Sequence, residues 1–126
     1  MSINRFISAA INRGDLKDSL VDAVIGLEGL FGGRAEIALS VAVGAAKLLG
    51  KSPVERRGIF ESSKKVYGAR SDLVHGNAMK VAKLDIPHLR VSALSLLRRC
   101  LLELLESRND LLTLKAHERV KELVIE

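Results

Sequence analysis

Residues 34–53 read RAEIALSVAVGAAKLLGKSP, and two features of this stretch decide the fold class. Up to Leu49 it is apolar nearly all round and rich in small residues: Ala35, Ala38, Ala42, Gly44, Ala45 and Ala46. Such a segment reads as a helix at the centre of a bundle, where small side chains let neighbouring backbones approach. Punctuation follows at once. Gly50 is a helix stop, Ser52-Pro53 opens the next helix with an N-cap and a first-turn proline, and Glu55 stands at capping-box spacing from Ser52.

The same reading extends in both directions. Towards the N-terminus, Leu16, Leu20, Val24, Leu27 and Phe31 recur at helical spacing behind an Asp15 N-cap and stop at Gly32-Gly33. A shorter amphipathic helix is expected from about Ile3 to Asn12, ending near Gly14. Towards the C-terminus, the helix that opens at Pro53 should run to about His75. GNAMKVAKLD, residues 76–85, is then the longest connection. A further helix is expected from Ile86 or Pro87 to Glu106, with Leu94, Leu97, Leu101 and Leu104/Leu105 as its stripe, and the tail from Asn109 to Glu126 as a sixth, peripheral helix. The fold expected is all-α: one domain over 1–126, a compact up-and-down bundle of five to six helices with its core in about 15–106.

Composition agrees. Hydrophobic residues make up 48% of the 126, enough for a real core. Aromatics are limited to Phe6, Phe31, Phe60 and Tyr67, so that core is built from Leu, Val, Ile and Ala. Twenty Lys and Arg against fifteen Asp and Glu leave a net charge of +5, a balance that favours polyanions such as RNA or nucleotides. The lone Cys100 excludes an internal disulfide and fits a reducing compartment as a buried small hydrophobe. No signal-like apolar region opens the chain, and the run IALSVAVGAA at 37–46, flanked by Glu36 and Lys47, is too short to span a bilayer. A cytoplasmic protein without a membrane partner is expected.

Three motifs dissolve on inspection. GKS at 50–52 lacks the leading glycine of a P-loop, since position 45 is Ala45, and it closes one helix and caps the next. Ser71, Asp72 and His75 have the residue types of a hydrolase triad, but Asp72 is turned about 100° from Ser71 and no nucleophile elbow surrounds them. His75, His88 and His117 sit on separate segments without ligand spacing, so neither a metal nor another cofactor is implied.

YGARSDLVHGN, residues 67–77, remains. On a helix Ile59, Phe60, Val66, Tyr67, Leu73 and Val74 form one apolar arc, and Arg70 falls near its middle. A guanidinium there needs a carboxylate or an opening onto a cleft. Glu28, a lone acid in VIGLEGLFG, is one partner on offer, and Asp22 is another. His75 lies about 140° round from Arg70, on the face of Lys64, Gly68 and Ser71. Lys51, Arg56, Arg57, Lys64, Lys65 and Arg70 concentrate the positive charge in this region. The plain reading is a structural Arg–Glu bridge beside a surface histidine.

ARSDLVHGN, preceded by ERRGIF, KKVY, LVDAVIGLEGLFG and ALSVAVGAAKLLG, resembles the HEPN superfamily, in particular its Apea-like branch, over about residues 15–106. The most specific parts are R-S-x-x-V-H-G and the L-E-x-L-F of the second helix. The resemblance implies a helical bundle that homodimerises, bringing the Arg–His motif of each subunit to a shared cleft. Many members are metal-independent endoribonucleases in toxin, defence or RNA-processing systems, and some work with a cognate regulator or antitoxin. Others are non-catalytic nucleotide- or RNA-binding or dimerisation modules. Carried over, Arg70 and His75 are the catalytic pair and Glu28 is the acid that supports them. Tyr67 is expected to support the pair as well, and Lys64, Ser71, Asp72 and Asn77 to contact the ligand. Active members often have Asn, Asp or His directly after the arginine; here it is Ser71.

Overall fold

Several helix ends are written in local chemistry. The structure, a computed structural model, describes residues 4, 6, 7, 15–32, 36–76 and 78–126. The expected helix over Ile3–Asn12 therefore lies largely outside the described residues. Helix α1 spans Leu16–Phe31, α2 Ile37–Leu49, α3 Pro53–His75, α4 Ala78–Val81, α5 Ile86–Glu106 and α6 Ala116–Ile125, with a 3-10 turn at Asn109–Thr113 before α6. No strand occurs among the described residues. Asp15 caps α1 by accepting the Lys17 and Asp18 amides, and Ser52 caps α3 by accepting the Glu55 amide. The Glu55 carboxylate accepts the Lys51 amide in return. The connection 76–85 holds the one-turn helix α4, and Asp85 caps α5 through the His88 amide.

Packing follows from these faces. α2 lies against α3, and α1 against α5. The core joins Leu20, Val24, Leu27 and Phe31 of α1, Val41 and Ala45 of α2, Val66 and Ala69 of α3, and Leu97, Cys100 and Leu104 of α5. Burying each leucine or phenylalanine side chain contributes about 1.5–3 kcal/mol. Gly44 shows how close α1 and α2 approach: a Cβ there would stand 2.5 Å from Phe31 Cδ1 and 2.9 Å from Phe31 Cβ. Across the bundle, Arg90 Nε donates to the Oγ of the fully buried Ser19, 2.8 Å away, tying α5 to α1.

Two expectations change. α2 begins at Ile37, not Arg34, with Glu36 as its N-cap in the left-handed region at φ 50°; residues 33–35 lie outside the described set. The tail is not a peripheral helix. It is a 3-10 turn plus α6, and Leu111 and Leu123, each 2% exposed, complete the core against α1 and α2. Arg119 fixes this docking: Nε donates to Leu111 O at 2.9 Å, Nη1 to Leu30 O at 2.7 Å and Nη2 to Leu114 O at 2.8 Å. Among the described residues no helix is long and apolar enough to cross a membrane.

Candidate functional site

Helix α3 carries the singled-out residues and sorts them onto two sides. Its inward side holds Ser63, Val66 and Ala69, all buried, with Ile59, Tyr67 and Arg70 half-buried beside them. Arg70 points at α1. Of the two acids the sequence offered, Glu28 is the one in ion-pair range, its Oε1 3.8 Å from Arg70 Nη1, with side-chain exposures of 26% and 24%. That separation is too long for a hydrogen bond. Accordingly Arg70 Nε and Glu28 Oε1 are both buried without a hydrogen-bond partner. The guanidinium carbon also sits 5.8 Å from the centroid of the Tyr67 ring, within cation–π range. Burial pushes the Tyr67 phenol up, the hydrogen bond and negative charge of Glu28 push it further, and Arg70 pulls the other way.

The outward side is a different surface. Arg57, Glu61, Lys64, Gly68, Ser71 and His75 follow one another at alternating steps of four and three residues, a single ridge on a helix. All are exposed except the half-buried Ser71. A Cβ at Gly68 would meet nothing within 4 Å, so the ridge is open there. Lys64 Nζ lies 5.6 Å over the Phe60 ring. His75 is the last residue of α3 and is exposed; the chain turns away at Gly76, whose φ of 68° places it in the left-handed region that terminates the helix. Val74 and Met79, 56% and 78% exposed, add apolar surface around this end.

The structure thus brings together Glu28, Tyr67 and Arg70, the pairing expected from the lone acid in α1. It does not bring Arg70 and His75 onto one face of a single chain: the two are turned about 140° apart on α3. Lys64 shares the face of His75, Ser71 and Asp72 are half-buried, and Asn77 lies outside the described residues. No group of three or more His, Cys, Asp and Glu among the described residues is placed to hold a metal ion. Sequence reasoning missed the buried Ser63, whose hydroxyl has no hydrogen-bond partner. It also missed a groove between α3 and α5, because the serines lining it belong to two helices and each alone is ordinary.

Chemically, the inward cluster offers a guanidinium with donors still available, and the outward ridge offers an exposed imidazole at its end. No family model, no curated protein and no solved structure matches this chain.

Proposed function

We propose that the domain is a metal-independent endoribonuclease of the HEPN type, working as a homodimer with α3 at the shared cleft. One observation carries this reading: Arg70 faces Glu28 at 3.8 Å, beyond hydrogen-bond range, with its side chain 26% exposed, so the Nη end of its guanidinium retains donors for a phosphate. His75 stands exposed at the end of the same helix, on the face that also carries Lys64 and Arg57 further along it. A two-fold partner sets the His75 of one subunit against the Arg70 edge of the other, which reconciles their different faces.

RNA supplies its own nucleophile. Histidine side chains titrate near 6.5 as a type, so one accepts the 2′-hydroxyl proton as that oxygen attacks the adjacent phosphorus. The 5′-oxygen leaves with a proton from a second histidine, giving a 2′,3′-cyclic phosphate and a 5′-hydroxyl end. Arg70 stabilises the charge that builds on the non-bridging oxygens. Lys64, Ser71, Asp72 and Asn77 contact the strand near the helix end. With few aromatics in the chain, the grip is on phosphates and weakens steeply with salt.

A second reading rests on the Arg70–Glu28 pair itself. If that pair is structural, the domain binds RNA or nucleotides, or dimerises, without cleaving. The discriminating experiment is cleavage of a mixed RNA pool in EDTA by the native protein, His75→Ala and Arg70→Ala, each checked for fold and oligomeric state. Cleavage by the native protein alone supports the enzyme. No cleavage by any of the three, with RNA still bound, leaves the binding module.

A further inference from the structure

We propose that the groove between α3 and α5 is a separate anion site that takes the phosphate monoester of a sugar. A cleft of about 340 Å3 opens there, lined by Ser62, Lys65, Lys83, Asp85, His88 and Ser92. Its cationic and titratable groups come from three places: Lys65 from α3, Lys83 from the turn after α4, and His88 from the first turn of α5. Its one carboxylate is already engaged, since Asp85 Oδ1 accepts the His88 amide and caps α5. That cap takes the His88 amide, so the anion is held mainly by side chains. Among the described residues neither Lys65 nor Lys83 is in an ion pair. The cleft therefore sets two ammonium groups, neither in an ion pair, against one carboxylate.

The chemistry selects a monoester. Near pH 7 it carries close to two negative charges and three terminal oxygens, matching two ammonium groups and two hydroxyl donors, whereas a diester carries one charge. The rest of the ligand has room. Ser62 and Ser92 also line an adjoining cavity of about 530 Å3, which continues past Ser95 to Arg99. Glu55, its only carboxylate, accepts the Lys51 amide. No Phe, Tyr or Trp lines either cavity, so no large aromatic face is offered to the body of the ligand. Serine hydroxyls along a partly apolar floor of Ile59, Val66 and Leu96 suit a sugar. This groove is distinct from the ridge of His75: Lys65 and Ser62 are turned about 80° and about 140° away from it around α3.

The test is an amide NMR titration of the whole chain with ribose 5-phosphate, with ribose as the control. Saturable shifts are expected in residues 58–66 and 83–96 with the phosphate and not with ribose. Lys65→Glu/Lys83→Glu should weaken binding by roughly tenfold or more. Lys115→Glu/Lys121→Glu, the same change of net charge at exposed positions on another part of the surface, should change it less than about twofold. Equal losses in both double variants would reduce the effect to the general positive field and overturn the site. So would shifts centred on 64–76, or none that saturate. A 5′-phosphorylated trinucleotide and its 5′-hydroxyl form separate the two sources of the group: tighter binding of the phosphorylated trinucleotide than of ribose 5-phosphate assigns an RNA end, and the reverse assigns a free sugar phosphate. The readout is binding without turnover, so failure here leaves the cleavage test untouched.

Discussion

Arg119 and Arg70 are both arginines on an inward helix face, and they are held in opposite ways. Arg119 is 7% exposed and donates to three backbone carbonyls at 2.7–2.9 Å. Burial pulls its pKa below the usual arginine value, but those bonds give each guanidinium nitrogen a carbonyl partner. Arg70 is more open, faces one carboxylate at 3.8 Å and leaves Nε unbonded. The first arrangement uses the charge to close a fold. The second leaves hydrogen-bonding capacity unused at a part-exposed position.

Breaking Arg119 should produce the largest effect on stability. Arg119→Met leaves the carbonyls of Leu30, Leu111 and Leu114 without this donor and frees the 3-10 turn and α6 from α1. A loss of about 2–4 kcal/mol in denaturant unfolding is expected. Lysine presents one point charge in place of the fork, so Arg119→Lys should recover less than half of it. A loss below about 1 kcal/mol would remove the contrast between the two arginines.

That contrast was only half legible in the sequence. Helix ends were, because caps are local: Asp15, the Ser52–Glu55 pair and the Gly76 stop act within four residues of themselves. The Arg70–Glu28 pairing was legible too, since a lone acid and a lone base in two apolar faces have few other partners. Arg119 was not. In AHERVKELVI it looks like a charged residue on a solvated face, and what buries it is a carbonyl 89 positions earlier. The α3–α5 groove was hidden for the same reason: Ser62, Ser92 and Ser95 become one lining only after two helices have packed.

Replacing Arg70 should cost little stability and most of the function. Its ion pair is long and partly exposed, and pairs of that kind contribute about 0–1 kcal/mol. Arg70→Met is therefore expected to unfold within about 1 kcal/mol of the native protein. On the proposed ribonuclease reading, RNA cleavage should fall by roughly 100-fold or more, because that reading makes Arg70 the transition-state cation. The opposite outcome, a large stability loss with cleavage or RNA binding intact, would make Arg70 a second Arg119 and sink its phosphate role.

The smallest effect sharpens the picture of what surrounds Arg70. Tyr67 is the only tyrosine, so tyrosinate absorbance follows it alone. Its folded pKa is raised, so it contributes stability that is fully present below the ordinary phenol value of about 10 and is lost as pH rises beyond it. Cys100, pushed up to about 12 by burial, loses its own contribution from the ordinary thiol value of 9.0 upward, so the measurement belongs in a Cys100→Ala background. There, Tyr67→Phe should change stability by a few tenths of a kcal/mol at neutral pH and flatten the decline above pH ~10. Glu28→Gln should lower the Tyr67 pKa by removing the negative charge, and Arg70→Met should raise it by removing the positive one. If Arg70→Met leaves the tyrosinate titration unmoved, the guanidinium does not rest on the Tyr67 ring in solution. The loosely held arginine would then already be turned out towards the ridge of His75.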